Sequence, residues 1–89
     1  MNKKIIQSTV FMNKVLKRYV MLIEREFERE PGVFKHDIVA ISFPSGTAET
    51  FRSWGNAIEY LERGGLKEVP LDEFPKEINA SLRRNLENL

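Results

Sequence analysis

The chain has 89 residues, of which 42% are hydrophobic and 30% charged, and its formal net charge is +1. That length makes a single domain, and a charge so near zero argues against a typical duplex-DNA-binding protein. The absence of cysteine excludes disulfides and thiolate metal sites, and with a single histidine, His36, a zinc site would need mostly carboxylate ligands, which zinc sites rarely have.

No apolar run approaches the ~20 residues that a membrane-spanning helix needs. Lys3 and Lys4 stand near the N-terminus, but no apolar run long enough for a signal peptide follows them. We therefore expect a cytoplasmic protein without a cofactor.

The first predicted element is a long helix from about Ser8 to Arg29. Its apolar residues fill roughly half of the helix circumference when they are placed at 100° per residue. They are Phe11, Met12, Val15, Leu16, Tyr19, Val20, Leu22, Ile23 and Phe27. A helix this apolar in so short a chain needs contacts on two sides, so we expect a homo-oligomer in which another copy supplies one of them.

The opposite side of this helix would carry a basic stripe. Its members are Lys14, Lys17, Arg18 and Arg25. Such a stripe can receive phosphates, and it can equally be a solvated face that pairs with acidic residues of neighbouring protomers. Pro31-Gly32 then ends the helix.

Residues 33–43 fit two structures. Their β-branched and aromatic side chains suit a strand, for which the segment Leu66–Val69 is the only visible partner. Alternatively, Asp37 caps a short helix with Ile38 and Ile41 on its inner side. Because a two-stranded ribbon is weak alone, we slightly favour the helical or irregular structure.

The next helix has clearer ends. We expect Ser45 or Thr47 to be its N-cap and Gly64-Gly65 to end it. Its apolar stripe comprises Phe51, Trp54, Ala57, Ile58 and Leu61. A short extended piece then leads to Pro70.

A last helix is expected from Asp72 onward. Its apolar side comprises Phe74, Ile78, Leu82, Leu86 and Leu89. The predicted fold class is therefore mainly α: one small helical domain, residues 1–89, with two long amphipathic helices and a C-terminal helix. One short β-hairpin is the alternative for the middle of the chain.

The turn Pro44–Thr50 is the first candidate binding site. Backbone N–H groups around Gly46, Thr47 and Ala48 would be unpaired at a helix start, where phosphates bind, and the Ser45 and Thr47 hydroxyls would assist. The same residue types also form an ordinary N-cap, and Glu49 in the first turn would already complement the helix dipole. No Lys-Ser or Lys-Thr pair follows the glycine, which excludes a Walker loop.

Other candidates for chemistry are fewer. Tyr19 and Trp54 could stack on bases, although both occupy positions typical of core packing. His36-Asp37 could act as an acid–base pair, but adjacent residues rarely face each other and no nucleophile is identifiable. We therefore expect no enzyme, no catalytic residue and no metal site.

Two short stretches carry a resemblance to a known family. Val10–Val15 looks like a Met-Asn-basic start of a long helix, and Phe51 followed by Ala57-Ile58 looks like the end of a second one. Both are similar to the phage anti-CBASS sponges, which sequester cyclic oligonucleotide signals of bacterial immunity. The resemblance covers Gln7–Arg63, and it departs at Asn56, where the family has a basic residue. It implies a compact, helical, non-catalytic homo-oligomer that binds cyclic di- or trinucleotides between protomers.

We therefore expect a non-enzymatic protein that sequesters a phosphate-bearing small ligand, with cyclic di- and trinucleotides as the favoured class. The alternative is a phage-type interaction module that inhibits a host protein, and a weaker one is a nucleic-acid-binding accessory protein. A phage-encoded protein would act in the host cytoplasm, without membrane or duplex-DNA partners. The candidate ligand contacts are Asn13, Lys14, Arg18, Tyr19, Ser45, Gly46, Thr47, Arg52 and Trp54.

Overall fold

The computed structural model describes residues 3–78, 80 and 84, which form a five-stranded antiparallel sheet with an α-helix on one face. The strands are β1 (Lys3–Asn13), β2 (Arg18–Glu30), β3 (Val33–Phe43), β4 (Ala48–Phe51) and β5 (Lys67–Val69), and the helix is α1 (Trp54–Arg63). Their order across the sheet is β4-β3-β2-β1-β5, with β2 in the centre. Strand accounts for 53% of the structure and helix for 23%, so the prediction of a mainly α fold is wrong.

The segment expected to be the first long helix is two strands joined by a tight turn. Every residue in the runs 10–12 and 20–23 is buried, because the sheet is covered on both faces at this point. A strand buried on both faces has a continuous apolar run, which also fills half of a helical wheel. Val15 and Leu16 were counted on the apolar helix face, but they lie in the turn and are 90% and 60% exposed.

Residues 33–43 form a strand as well, so the preference for a helical or irregular structure is wrong. β3 pairs with β2 along its length and with β4 at Ile38–Ile41. The expected partner segment pairs with β1 instead, as β5. Pro31-Gly32 is the turn of the β2–β3 hairpin, where Gly32 has a φ of 80°. That left-handed conformation favours glycine because a Cβ would crowd the backbone.

The second predicted helix is confirmed in its body and its end. α1 occupies Trp54–Arg63, Gly64 is its C-cap, and the turn continues through Gly65 at a φ of 83°. Its start differs from the prediction, because residues 48–51 extend as β4 and Ser53 is the N-cap. The Ser53 hydroxyl accepts a hydrogen bond from the Asn56 N–H at 3.1 Å.

The last predicted helix falls partly outside the described residues. Leu71–Glu73 is a single turn of 3₁₀-helix, and helical geometry is present at residues 76–78, 80 and 84. The predicted apolar positions Leu82, Leu86 and Leu89 lie outside the described part of the chain. No helix in the described part is long and apolar enough to cross a membrane.

Two apolar clusters lie on opposite faces of the sheet. On one face α1 packs Ala57 and Leu61 against the fully buried Phe11 and Leu22. On the other face the segment after β5 places Phe74 against the sheet. The chain itself therefore covers the apolar surface for which the sequence analysis invoked a second copy.

The two ends of the sheet differ. β4 and β5 are short, and they cover β3 at Ile38–Ile41 and β1 at Val10–Met12. Beyond them the far parts of β1, β2 and β3 continue as a three-stranded extension, which we call the distal ribbon (residues 3–8, 24–30 and 33–37). At the opposite end, which we call the turn end, the β1–β2, β3–β4 and α1–β5 turns meet. The molecule measures 45 × 27 × 20 Å along its principal axes.

Candidate functional site

An open cleft lies between two turns at the turn end of the sheet. β2 and β3 are neighbours, and Tyr19 is the register partner of Phe43, so the β1–β2 turn lies beside the β3–β4 turn. The cleft between them has a volume of about 340 Å³. Its polar lining comprises Lys17, Arg18, Tyr19, Ser42, Ser45 and Thr47. We call this the turn cleft.

Two hydroxyl groups form one wall of the turn cleft. The Ser45 Oγ and the Thr47 Oγ1 atoms are 2.6 Å apart, and the Thr47 N–H donates to the Ser45 Oγ over 3.4 Å. The conformation is fixed by Gly46, whose φ of 76° only glycine adopts without strain. The hydroxyls therefore stand side by side, where both can donate to or accept from a ligand.

The backbone N–H groups of Gly46 and Thr47 already have acceptors within this turn. The Gly46 N–H donates to the Ser42 carbonyl at 2.7 Å, and the Ser42 N–H donates to the Thr47 carbonyl at 2.8 Å. No helix begins here, because residues 48–51 are β4. The predicted cradle of unpaired N–H groups at a helix start is therefore not present around Gly46.

Two cations form the opposite wall. Lys17 is the last residue of the β1–β2 turn, and Arg18 is the first residue of β2. The Arg18 guanidinium also lies beside the end of α1, since its Nη1 atom is 3.7 Å from the point that a Cβ on Gly64 would occupy. A cation at that place complements the negative end of the helix dipole. None of the described lining residues of the cleft is a carboxylate.

Tyr19 connects the cleft to the core. Its ring meets the Phe74 ring edge to face, with centroids 5.7 Å apart and an interplanar angle of 76°. The same residue lines the cleft and is half-buried. Most of the Tyr19 ring is therefore used for packing, as the core interpretation of this residue expected.

Asn13 and Lys14 do not line the cleft. The Asn13 Nδ2 donates to the Gly65 carbonyl at 2.9 Å, and its Oδ1 accepts from the Leu16 N–H at 3.0 Å. Asn13 therefore joins the β1–β2 turn to the α1–β5 turn. Lys14 is exposed in the β1–β2 turn.

Arg52 and Trp54 lie away from the cleft. β4 starts beside the cleft at Ala48 and runs to Phe51, the register partner of Ile38, so Arg52 follows at the far end of the strand. Trp54 is half-buried against the α1 cluster. The structure thus gathers four predicted contacts in the cleft lining, and it separates Arg52 and Trp54 from them. The four are Arg18, Tyr19, Ser45 and Thr47.

Lys17 is a cleft residue that the sequence analysis placed in the basic stripe but not among the ligand contacts. The signal that could have found it is local: the six residues from Asn13 to Arg18 separate an apolar run that ends at Met12 from one that begins at Tyr19, as in a hairpin. Reading that hairpin would have placed Lys17 and Arg18 together at the end of a strand.

His36 and Asp37 project from opposite faces of β3, because side chains alternate along a strand. The His36 Nε2 lies 2.9 Å from the Glu24 Oε2 on one face. On the other face the Arg25 Nε and Nη2 atoms donate to the two Asp37 oxygens at 2.7 and 3.1 Å. These hydrogen bonds raise the pKa of Arg25 above its ordinary value. The two residues therefore contact separate partners on opposite faces and do not form one acid–base pair.

Two further features complete the survey of possible sites. In the described part of the chain, no group of three or more histidine, aspartate or glutamate residues is arranged to hold a metal ion. A larger groove of about 520 Å³ runs along the β1–β5 edge, and its lining includes Glu68. The Thr9 hydroxyl donates to that carboxylate. A carboxylate disfavours phosphate, so this groove does not fit the predicted ligand.

Comparisons of the chain with protein-family models, with curated proteins and with solved structures give no match.

Proposed function

We propose that this protein binds a phosphate-bearing small ligand in the turn cleft and does not convert it chemically. The observation that carries the proposal is the composition of the cleft lining: two cations and two adjacent hydroxyls, with no carboxylate among its described residues. Lys17 and Arg18 would supply charge, while Ser45 and Thr47 would donate hydrogen bonds to phosphate oxygens. Charge-assisted hydrogen bonds of this kind are about twice as strong as neutral ones.

The size of the cleft restricts the ligand. A volume of about 340 Å³ is at the lower end of the range for small-molecule sites. A nucleotide or one portion of a larger cyclic oligonucleotide suits it better than a polymer does. Cyclic di- and trinucleotides, the class favoured by the sequence analysis, remain the first ligands to test. The helical start that carried the family resemblance, Val10–Val15, is a strand and a turn, so the proposal depends on the cleft alone.

Binding without catalysis is proposed because of what faces the ligand. General acid–base catalysis needs a group with a pKa near neutrality placed at the reacting atom. The described lining offers a lysine, an arginine, a tyrosine and hydroxyls, and it offers neither a histidine nor a carboxylate. These groups can hold a phosphate, and none of them is a histidine or carboxylate of the kind that most often serves as a general base.

A ligand panel followed by thermal unfolding and calorimetry tests the proposal. The panel is inorganic phosphate, AMP, and a set of cyclic di- and trinucleotides. A ligand at 100 times its Kd should stabilise the native state by about 2.7 kcal/mol. The double variant Ser45→Ala with Thr47→Ala should lose that gain. Without ligand, its unfolding temperature should equal that of the unmodified protein. Arg52→Ala is the matched control, because it removes an exposed cation outside the cleft.

Two outcomes contradict the proposal. If no member of the panel shifts unfolding or gives heat of binding at millimolar concentration, the cleft is not a phosphate site. If the protein instead binds polynucleotide strongly, with an affinity that falls steeply as salt rises, the nucleic-acid alternative replaces this one.

A further inference from the structure

The outer edge of β3 is open over half of its length. β4 pairs with β3 at Ile38–Ile41, and no other strand of the described chain lies beside Val33–Asp37 on that side. In this stretch the backbone N–H and C=O groups that point away from β2 have no strand to pair with. An open edge of this kind is a template for an added strand.

This edge has a single lysine as protection, and it lacks a proline and a bulge on its own strand. The other free edge, along β1, carries a bulge between Ile5 and Gln7, which interrupts regular pairing. The stretch Val33–Asp37 contains no proline, and the irregularity in its pairing with β2, between Glu28 and Glu30, places the extra residue on β2 and not on β3. Val33 and Phe34 are 44% and 56% exposed. The outer end of the β3 edge is therefore apolar and exposed.

A second copy of the chain fits this edge poorly. In the two-fold antiparallel register that pairs all five residues, Lys35 of one copy would lie directly opposite Lys35 of the other. Like charges directly opposite in a sheet destabilise the pairing. Registers centred on Phe34 or His36 pair only three open residues, since β4 occupies the edge from Ile38 onward. The position of Lys35 thus disfavours self-association.

The charges around the β3 edge determine which side chains a partner strand should carry. Lys35 has Phe27 as its register partner, and Arg25 and Asp37 form an ion pair on the same face. The other face presents Glu26 beside His36. A partner strand should therefore carry a carboxylate opposite Lys35, apolar side chains opposite Val33 and Phe34, and no acid opposite His36.

We propose that the edge of β3 at Val33–Asp37 is the docking site for an extended segment of a partner protein, acidic on one face, which adds to the sheet as an antiparallel strand. Main-chain hydrogen bonds supply the affinity, and the carboxylate opposite Lys35 fixes the register. The site is at the distal ribbon, away from the turn cleft, so it does not depend on the function proposed for that cleft.

An NMR titration of the whole, ¹⁵N-labelled chain tests this. The probe is an acetylated and amidated peptide, Thr-Thr-Glu-Val-Val, in which the residues lie opposite Asp37 to Val33 in that order. At a peptide concentration of about 2 mM, near the Kd expected for so short a strand, amide shifts should change at residues 33–37. Unchanged spectra, or changes elsewhere in the chain, would overturn the proposal.

Two controls separate strand addition from other contacts. N-methylation of alternate peptide amides removes hydrogen-bond donors from one edge of the peptide and leaves the side chains unchanged. Of the two alternate sets, one should abolish binding and the other should not. Equal effects of both sets would contradict strand addition.

A charge exchange tests the register. Lys35→Glu should weaken binding of the probe up to about fivefold, the scale of one cross-strand pair. A peptide with lysine in place of its glutamate should restore it. Lack of restoration would overturn the assigned register. Concentration-dependent dimerisation that protects residues 33–37 would overturn the preference for a partner protein.

Discussion

Lys17 has an unusual backbone conformation for a lysine, with a φ of 52°. A left-handed conformation costs a non-glycine residue roughly 1 kcal/mol, so the chain places a cation in the turn cleft at some expense of stability. We expect Lys17→Gly to weaken phosphate-ligand binding by about tenfold, the loss of one charged hydrogen bond. The free energy of unfolding should stay the same or rise by up to about 1 kcal/mol.

Calorimetry and urea unfolding of the same Lys17→Gly preparation check this pair of effects. Lys14→Gly serves as the control, because it removes a cation from the same turn but not from the cleft lining. If binding and stability fall together in Lys17→Gly, the lysine supports the turn and does not contact the ligand.

Asn13 was predicted as a ligand contact, and the structure gives it a bridging position between two turns. We expect Asn13→Ala to lower the free energy of unfolding by about 1 kcal/mol per lost hydrogen bond, and to leave ligand affinity unchanged. Urea unfolding and calorimetry measure the two quantities. Asn13→Asp keeps the acceptor for the Leu16 N–H and should lose less. Normal stability with lost binding would restore Asn13 as a ligand contact.

The Arg25–Asp37 pair lies at the junction of the covered sheet and the distal ribbon. Both side chains are about three-quarters buried, with exposures of 24% and 26%, and their two hydrogen bonds are parallel. Removing one partner leaves the other charge partly buried, so Arg25→Met should destabilise by about 1–2 kcal/mol. The double variant Arg25→Met with Asp37→Leu should cost less than the sum of the single changes. An additive result from denaturant unfolding would show that the pair is not coupled.

The raised pKa of Arg25 determines how the contribution of this residue to the free energy of unfolding changes with pH. Its pKa is raised in the folded state, so its stabilising effect is complete at lower pH and is lost only as pH rises through that higher value. Arg25 itself therefore adds no slope to stability between about pH 5 and 9.

At the scale of the elements, two leucines distinguish the sheet from the helix that was predicted. Leu22 is fully buried in β2, and Leu16 is 60% exposed in the β1–β2 turn. The helical interpretation placed both on the same apolar face. In the sheet, Leu22→Ala should destabilise by about 2–5 kcal/mol, and Leu16→Ala should change stability by less than about 0.5 kcal/mol. Similar losses in the two variants, measured by urea unfolding, would contradict the strand assignment.

The elements that could be predicted are those with local signals. α1 has a capping serine, a compact apolar stripe and two glycines at its end, and none of these needs a distant contact. The strands β1 and β2 depend on distant contacts, because both of their faces are buried by α1 and by the segment after β5. Residues 24–30 did carry a local strand signal, in which glutamates alternate with Arg25, Phe27 and Arg29.

The candidate site could be predicted only in part, for the same reason. The hydroxyl turn around Ser45 and Thr47 is visible in the sequence as a cluster of turn residues. The β1–β2 turn lies across the cleft from it because β2 pairs with β3, and a single sequence does not reveal that pairing. The sequence predicts Arg52 and Trp54 on a helix that begins at this turn, and the intervening β4 places them at its far end instead.

At the scale of the whole molecule, the net charge of +1 conceals an uneven distribution. The turn cleft has cations and no described carboxylate in its lining, while one face of the distal ribbon carries Glu24, Glu26 and Glu28. Screening acts over about 8 Å at physiological salt, far less than the 45 Å length of the molecule. Each end therefore attracts ligands according to its own charges and not according to the total.

The central claim is that the turn cleft is a phosphate site, and chemical-shift mapping on the ¹⁵N-labelled protein tests it most directly. A cyclic dinucleotide or AMP is titrated at fixed ionic strength, with adenosine as the matched ligand without phosphate. We expect shifts to change at residues 17–19 and 42–47, to saturate with the phosphate ligand, and to be absent with adenosine. Equal changes with adenosine, or saturable changes away from those residues, would contradict the assignment of the cleft.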